Sequence, residues 1–459
     1  MVLKIYLTIT SALIYGINAT SFPPVVENQN ISKFAYCQAG YPNASSYKPM
    51  DDSTLLFVQT ISRHGDRAPS NYALNDTTVW DICPHKQYRY AYANTKPGIQ
   101  GGVKIEAYTD DSDQAANMAG LYWQGNCYTG QLSRKGVSQL ETYGSELRKI
   151  YVDKMKLLDK ELEDNTIKVR HTGVPRVQES AEGLVAGLYP FGSGGNGTVH
   201  FTSFPPEKET MYFNPLMCPR VAQVKALMRA TPEYQTYFNN SYSDALRLNK
   251  IVGYSPSVMA NSSFIFYSFA DIFSPIECNG KPKLCNEGTC ITDDDVELTL
   301  KYTMFEYLYS RKLSPYANEY NRLAGGAFFS QLNAELSKQI DYDMLENCAE
   351  KTKNRPVRMS IYVGHDETIL PMLAIFKTNN IENYIVPYAG NILIELWRNN
   401  IDKKYYIRAL YNGQQILTLP DPTTNTSWCD LNKCDWDTYQ KYLAQYIPAN
   451  VYQECKLVQ

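Results

Sequence analysis

Two largely apolar runs stand out along the chain, and each ends close to a histidine. Residues 54–61 (TLLFVQTI) and 356–363 (PVRMSIYV) are typical of β-strands that are buried on both faces of a sheet. His64 follows the first run, and His365 follows the second. Because α/β sheets bind ligands beyond the carboxyl ends of their strands, both histidines are candidates for a ligand site.

Strand and helix patterns alternate on both sides of a helical block. The spacing predicts helices over 133–151 and 175–188, a strand over 166–170, helix-like segments near 219–247, 293–313 and 324–338, and strands over 391–397, 405–410 and 415–419. We therefore predict an α/β fold, in which a sheet domain with helices on both faces is interrupted by a mostly α-helical insertion domain. The predicted boundaries are 53–205 and 350–459 for the α/β domain, which would carry the chemistry, and 206–349 for the helical insertion, or cap.

The overall composition is that of an ordinary globular protein. Of the 459 residues, 44% are hydrophobic and 20% are charged, which excludes global disorder and collagen-like repeats. Lys and Arg number 44 against 47 Asp and Glu, so the net charge is −3. This balance provides no basic field that could neutralise a polynucleotide, and we expect no nucleic acid partner.

The N-terminus predicts export. Lys4 precedes an apolar stretch at residues 5–15, and small residues follow, which is the pattern of a secretory signal peptide over 1–19. The alternative is a membrane anchor, but the stretch is shorter than the roughly 20 apolar residues that span a bilayer. The best later run, residues 263–276, is interrupted by Asp271. We therefore predict a secreted protein with no membrane partner.

Cysteines and glycosylation acceptors agree with export. The eleven cysteines allow several disulfides and leave at least one thiol over. Cys278, Cys285 and Cys290 have no histidine nearby, which disfavours a zinc site. Asn-x-Ser/Thr acceptors indicate a glycosylated surface and begin at Asn30, Asn43, Asn75, Asn196, Asn239, Asn261 and Asn425.

The strongest chemical signal follows the first apolar run, at Arg63–Pro69 (RHGDRAP). Two guanidiniums flank one imidazole, and their charges would repel each other unless an anion lay between them. Arginine offers planar, paired donors that suit phosphate oxygens, so the expected anion is a phosphoryl group. Gly65 would let the backbone approach that group, and Pro69 would stiffen the exit of the loop.

A second element, Gly364-His365-Asp366, would complete such a site. An imidazole that attacks phosphorus needs a proton delivered to the departing alkoxide, and the carboxyl group of Asp366 can supply it. A His-Asp dipeptide alone occurs often by chance, so this element gains its weight from the first motif.

On these motifs the sequence resembles the histidine acid phosphatases, the secreted branch of the histidine phosphatase superfamily. The resemblance covers residues 53–459 and is most specific at Arg63–Pro69. Further matching stretches are 131–136, 169–180, 187–190, 363–366 and 394–397.

The resemblance implies a role for each residue of the candidate site. His64 would be the nucleophile that becomes phosphohistidine, and Asp366 would protonate the leaving oxygen. The phosphoryl oxygens would be held by Arg63, Arg67, Arg176 and His365. No metal or organic cofactor is implied, because the guanidiniums take the place of a cation. Members of the family often dimerise, so a homodimer is a possible assembly.

Three features depart from the family's usual pattern. His171 stands where many members have Ser, and we interpret it as structural. Glu367 stands where many have Thr or Asn, and it could shift the local proton balance. The tail, at 410–413 (LYNG) and 427–429 (SWC), is closer to the acid-phosphatase-like subgroup that includes 2-phosphoxylose phosphatases, which makes a sugar phosphate an alternative substrate.

The sequence thus predicts a secreted acid phosphatase for phosphate monoesters, with a phytase or a carbohydrate-specific phosphatase as alternatives. Asp66 argues against inositol hexakisphosphate, because phytases commonly have a small neutral residue at that position. The opposite interpretation is that Asp66 turns away from the pocket and lysines of the insertion line it instead: Lys208, Lys225 or Lys250.

Two other classes of protein fit the sequence less well. A phosphomutase uses a related His and Arg motif but is normally shorter and cytosolic. An inactive, secreted binding glycoprotein would be expected to have lost a residue of the site, and this chain retains them all.

Overall fold

The first apolar run forms the central strand of the protein. We describe a computed structural model over residues 31–458, with gaps at 72, 75, 85, 91–103, 109–123, 191, 194, 196, 262–264, 347–355, 379–384 and 421–424. Within it, β1 spans Ser53–Arg63, and its side chains are buried from Phe57 onwards, as expected for a strand covered on both faces. The predicted signal peptide, the acceptors Asn30, Asn75 and Asn196, and Cys348 lie outside the described residues.

Among the described residues, eight strands form one mixed sheet, and two antiparallel strand pairs lie outside it. The strands are β1 (Ser53–Arg63), β2 (Lys86–Tyr90), β3 (Lys104–Tyr108), β4 (Ile167–His171), β5 (Phe201–Thr202), β6 (Cys285–Asn286), β7 (Thr289–Cys290), β8 (Met359–Gly364), β9 (Asn391–Asn399), β10 (Tyr405–Tyr411), β11 (Gln414–Gln415) and β12 (Cys434–Asp435). The sheet order is β11-β10-β9-β1-β8-β4-β5, with β12 beside β10. Strands β1, β8, β4 and β5 run parallel, whereas β9 and β10 are antiparallel to their neighbours.

Helices cover both faces of this sheet. They are α1 (Arg134–Leu147), α2 (Pro175–Leu188), α3 (Pro219–Arg229), α4 (Pro232–Val252), α5 (Pro256–Asn261), α6 (Ile265–Cys278), α7 (Asp293–Leu308), α8 (Ala317–Met344), α9 (Asp366–Ile375), α10 (Trp436–Leu443) and α11 (Val451–Glu454). One buried cluster joins the sheet to α1 and α2, and a second joins the opposite face to the helices between 219 and 344 and to α9 and α10. The predicted α/β class is confirmed.

The central part of the chain is helical, as its spacing predicts. Every strand of the large sheet lies outside residues 206–349, and the described elements inside that segment are helices and the hairpin β6–β7. Helix α8 rests directly on the sheet, since Nε2 of Gln59 donates to the carbonyl oxygen of Leu332 at 2.9 Å. The segment 206–349, which we propose to be a separate cap domain, therefore contains one helix, α8, that also covers a face of the sheet.

The observed strands differ from the predicted ones in two places. The strand predicted over 415–419 is limited to the two residues of β11. The antiparallel pair β2–β3 was not among the strands predicted from the sequence. In both places the sequence pattern is weak, and pairing with a neighbouring strand decides the outcome.

The parallel register brings the two sequence motifs together. Arg63 at the end of β1 lies opposite Gly364 at the end of β8, so His64 and His365 are the next residues at the same edge of the sheet. On the other side of β8, strand β4 leads into α2, whose first turn carries Arg176. Three parallel strands thus deliver their polar residues to one edge.

The ten cysteines in the described part of the chain form five disulfides: Cys37–Cys278, Cys83–Cys127, Cys218–Cys455, Cys285–Cys290 and Cys429–Cys434. The three cysteines weighed above as zinc ligands are all in these bonds. No helix among the described residues is long and apolar enough to span a membrane.

Candidate active site

His64 is held in one tautomer at the bottom of the site. Its side chain is buried, and Nδ1 lies 2.8 Å from the carbonyl oxygen of Gly65. Because a carbonyl oxygen only accepts hydrogen bonds, Nδ1 carries the proton and donates, and Nε2 keeps a free electron pair. Burial, together with the charges of Arg176, Arg63 and Arg67, holds the pKa of His64 well below 6.5. The ring is therefore neutral and can act as a nucleophile.

Three guanidiniums act electrostatically on this imidazole, and each lowers its pKa. Arg63 lies at the end of β1, Arg67 lies in the loop that follows, and Arg176 lies in the first turn of α2. Burial, and then the neighbouring charge of Arg67, lowers the pKa of Arg176 to about 10. Positive charges concentrated in a buried place favour an anion, and guanidiniums suit phosphate oxygens. The arrangement can bind a phosphoryl group beside His64.

His365 forms the opposite wall of the site. Its ring centroid lies 5.6 Å from that of His64, with the rings edge to face. Nε2 of His365 lies 3.0 Å from the hydroxyl oxygen of Thr172, which comes from the end of β4. Burial and the charge of Arg176 lower the pKa of His365 to about 3, so this imidazole is also neutral.

Asp366 is the first residue of α9, beside His365. Its Oδ1 accepts a hydrogen bond from the backbone N–H of Glu367 at 2.9 Å, and its Oδ2 lies 3.6 Å from Nη2 of Arg63. Burial raises the pKa of Asp366, but the charges of Arg63 and Arg67, together with the hydrogen bond from Glu367, outweigh burial and hold the pKa below its ordinary value. The carboxylate is therefore ionised while the site holds no anion.

Sequence analysis missed Asp271, which belongs to this site. Its carboxylate pairs with Nη2 of Arg67 and also accepts from the backbone N–H groups of Ser70 (2.9 Å) and Asn71 (2.8 Å). Helix α6 carries Asp271 into the otherwise apolar core, where its side chain is 3% exposed. The sequence does contain a sign of a buried charge here, because Asp271 interrupts an apolar run. It does not show that Arg67 is the partner of this charge.

Replacing Asp271 with asparagine should destabilise the protein and lower kcat/KM for p-nitrophenyl phosphate. Arg67 would lose its charged partner, and breaking a buried ion pair from one side typically costs about 3–5 kcal/mol. Urea unfolding measures the loss. Asp81→Asn is the matched control, because Asp81 pairs with Lys281 at the surface and should leave the unfolding free energy nearly unchanged. Equal effects of the two variants would contradict the role given to Asp271.

The position of Asp66 corrects the argument against phytase activity. Its Oδ2 accepts from the hydroxyl of Ser133 at 2.5 Å, and its Oδ1 accepts from the side-chain amide of Asn279 at 3.2 Å. Both carboxylate oxygens are thus engaged by Ser133 and Asn279, and Asp66 next to His64 is not by itself evidence that the side chain lines the pocket. We expected Gly65 to let the backbone approach a phosphoryl group, but the structure gives it a packing role. A Cβ at this position would lie only 2.3 Å from the carbonyl oxygen of Gly136, which is too close. The glycine lets the loop pack on α1.

The structure also describes the other residues that were named from the sequence. The ring of His171 is buried at the end of β4, where its Nδ1 is 2.6 Å from the carbonyl oxygen of Thr172. Burial raises the pKa of Glu367, and the charge of Lys225 partly offsets this. Lys208 and Lys250 are exposed, whereas Lys225 lies 4.7 Å from the ring centre of Phe213.

This fold and this site define a phosphatase, and comparison with known proteins agrees. The sequence profile of the histidine phosphatase superfamily (branch 2) matches residues 54–412. The chain belongs to this superfamily, and it is a phosphatase.

Its relatives are distant but cover most of its length. Counting factor 60 of Dictyostelium discoideum is 28% identical over 83% of this chain and 84% of its own length. Lysophosphatidic acid phosphatase type 6 of Mus musculus is 23% identical over 83% of this chain and 85% of its own length. The solved phytase of Hafnia alvei with tartrate is 14% identical and covers 89% of this chain and 100% of its own, with a TM-score of 0.55, which supports the fold alone.

Proposed function

We propose that this chain is a secreted acid phosphatase that hydrolyses phosphate monoesters through a phosphohistidine at His64. In the first step Nε2 of His64 forms a bond to phosphorus while the ester P–O bond breaks, and Asp366 gives its proton to the departing oxygen. In the second step water attacks phosphorus, the P–N bond breaks, and the proton released by water returns to Asp366. Arg63, Arg67, Arg176 and His365 bind the phosphoryl oxygens throughout.

The observation that carries this proposal is the hydrogen bond from Nδ1 of His64 to the carbonyl oxygen of Gly65. It leaves Nε2 unprotonated among three guanidiniums, which is the state that a nucleophile toward a phosphate ester needs. Charge stabilisation by fixed guanidiniums also lowers the barrier, since negative charge on the phosphoryl oxygens is then already neutralised.

The ionised state of Asp366 fits a proton donor only if substrate binding changes it. Arg63 is the main cause of its lowered pKa. A phosphate ester bound against Arg63 offsets that charge, and a second negative group nearby disfavours a second ionised group, so binding raises the pKa of Asp366. Asp366 thus takes up its proton when the substrate binds, and a low pH favours this protonation.

The experiment that tests the proposal is turnover of p-nitrophenyl phosphate across about pH 3 to 9. We expect kcat/KM to be highest under acidic conditions. The nucleophile stays unprotonated there because the pKa of His64 lies well below 6.5, and protonation inactivates it only when the pH falls below that lowered pKa. Activity that rises steadily toward pH 9 would contradict the proposed roles.

For the substrate, we propose simple phosphate monoesters, including sugar phosphates, rather than inositol hexakisphosphate. The cations that act most strongly on His64 are Arg176, Arg63 and Arg67, and this set matches one phosphoryl group. A hexakisphosphate would need further cations around the pocket. A kcat/KM for hexakisphosphate far above those for glycerol phosphate and a sugar phosphate would favour the phytase alternative.

Secretion is supported by the five disulfides and by the signal-like N-terminus. Recovery of the protein from the culture medium, without its first residues, tests this. A homodimer stays a prediction, and light scattering of the purified protein measures it.

A further inference from the structure

The segment that precedes β1 reaches into the active site. The backbone N–H of Tyr388 donates to the carbonyl oxygen of Tyr36 (3.0 Å), and the N–H of Ala39 donates back to Tyr388 (3.1 Å). The next residue, Cys37, forms a disulfide with Cys278 at the end of α6. The chain at 36–39 is therefore anchored from two sides, and the side chain of Tyr36 is 2% exposed.

The hydroxyl group of Tyr36 lies between Arg63 and Asp366. Nη2 of Arg63 donates to the Tyr36 oxygen, and that oxygen lies 3.2 Å from Oδ2 of Asp366. A guanidinium has no acceptor, so the only hydrogen of the hydroxyl is free to point at the carboxylate. The guanidinium carbon of Arg63 also lies 4.1 Å from the centre of the Tyr36 ring, and this cation–π contact further holds Tyr36 against Arg63.

A second tyrosine meets the same oxygen from another element. The hydroxyl of Tyr307, on α7, donates to Oδ2 of Asp366 at 3.3 Å. Both hydroxyls are buried, and the rings come from parts of the chain far from the two catalytic motifs. One carboxylate oxygen is thus held by two phenols, while the other accepts only the backbone N–H of Glu367 among the described contacts.

We propose that Tyr36 and Tyr307 are positioning residues that hold the carboxyl group of Asp366 in place for proton transfer to the leaving group. This rests on the proposed function, in which Asp366 is the proton donor. Without the Tyr36 hydroxyl, Nη2 of Arg63 can close its present 3.6 Å gap and pair directly with Asp366. That pair would turn the carboxyl group and keep it ionised, so acid catalysis would be lost while phosphate binding remained.

The test compares Tyr36→Phe with the wild type on two esters. Glycerol phosphate has a basic leaving group that needs the proton, whereas p-nitrophenolate leaves with little help. We expect kcat/KM to fall about tenfold for glycerol phosphate, a part of the ~10² to 10⁴ that general acids supply, and less than about threefold for p-nitrophenyl phosphate. Tyr41→Phe is the matched control, since Tyr41 lies on the same segment and its hydroxyl accepts from the side chain of Gln38 rather than meeting Asp366; it should change neither value.

Two further measurements distinguish positioning from a structural role. Tyr307→Phe should show the same selective loss, although it lies on a different element. In an Asp366→Asn background, Tyr36→Phe should cause no further selective loss, because the residue through which it acts is already changed. Equal losses for both esters, an additive double variant, or an equally large change in inhibition by inorganic phosphate would overturn the proposal. A wild type inactive toward both esters would instead refute the proposed function.

Discussion

Replacing His64 with alanine is expected to reduce kcat for p-nitrophenyl phosphate by at least about a thousandfold, or ~4 kcal/mol of transition-state stabilisation. His64 is buried, its Nε2 is unprotonated, and three guanidiniums act on its ring electrostatically. The second imidazole at the site, His365, has its Nε2 beside the hydroxyl of Thr172 and cannot take over the attack. Steady-state kinetics measures the loss.

His200→Ala is the control for this experiment, because His200 is exposed in the loop before β5. It should retain wild-type turnover. Mass spectrometry of protein that is quenched during turnover should find the phosphoryl group on the peptide with His64, and the His64 variant should carry none. Activity of His64→Ala within about tenfold of wild type would exclude His64 as the nucleophile.

Replacing Asp366 with asparagine should affect esters according to their leaving groups. Asparagine keeps the size of the side chain but cannot donate a proton to an alkoxide. We expect kcat/KM for glycerol phosphate to fall by about 10² to 10⁴, and the loss for p-nitrophenyl phosphate to stay below about tenfold. The aryl ester is the internal control, since it reports binding and attack by His64 without the need for a strong acid.

The outcome also separates two roles of the carboxylate. Asp366 lies 3.6 Å from Arg63, so its loss could also disturb the phosphate site. In that case both esters would lose activity equally, and the KM values would rise together. Such a result would show that Asp366 orients Arg63 and that another group supplies the proton.

Much of this protein follows from its sequence because the signals are local. An unbroken apolar run predicts a buried strand, and β1 forms there. Proline at the first helical position predicts the start of α2, which begins at Pro175. The motif around His64 is chemically specific on its own, because two arginines close to one histidine favour a phosphoryl ligand. The family match then covers residues 54–412.

Only the tertiary structure decided which distant residues support the motif. Asp271 meets Arg67 across 204 positions of sequence, and Tyr36 meets Asp366 across 330. Such contacts depend on strand register, helix packing and the Cys37–Cys278 disulfide, none of which leaves a periodic signal in the sequence. The direction in which Asp66 points was wrongly interpreted for the same reason. Protonation is also a tertiary property, because burial and neighbouring charges together set the pKa values of His64 and Asp366.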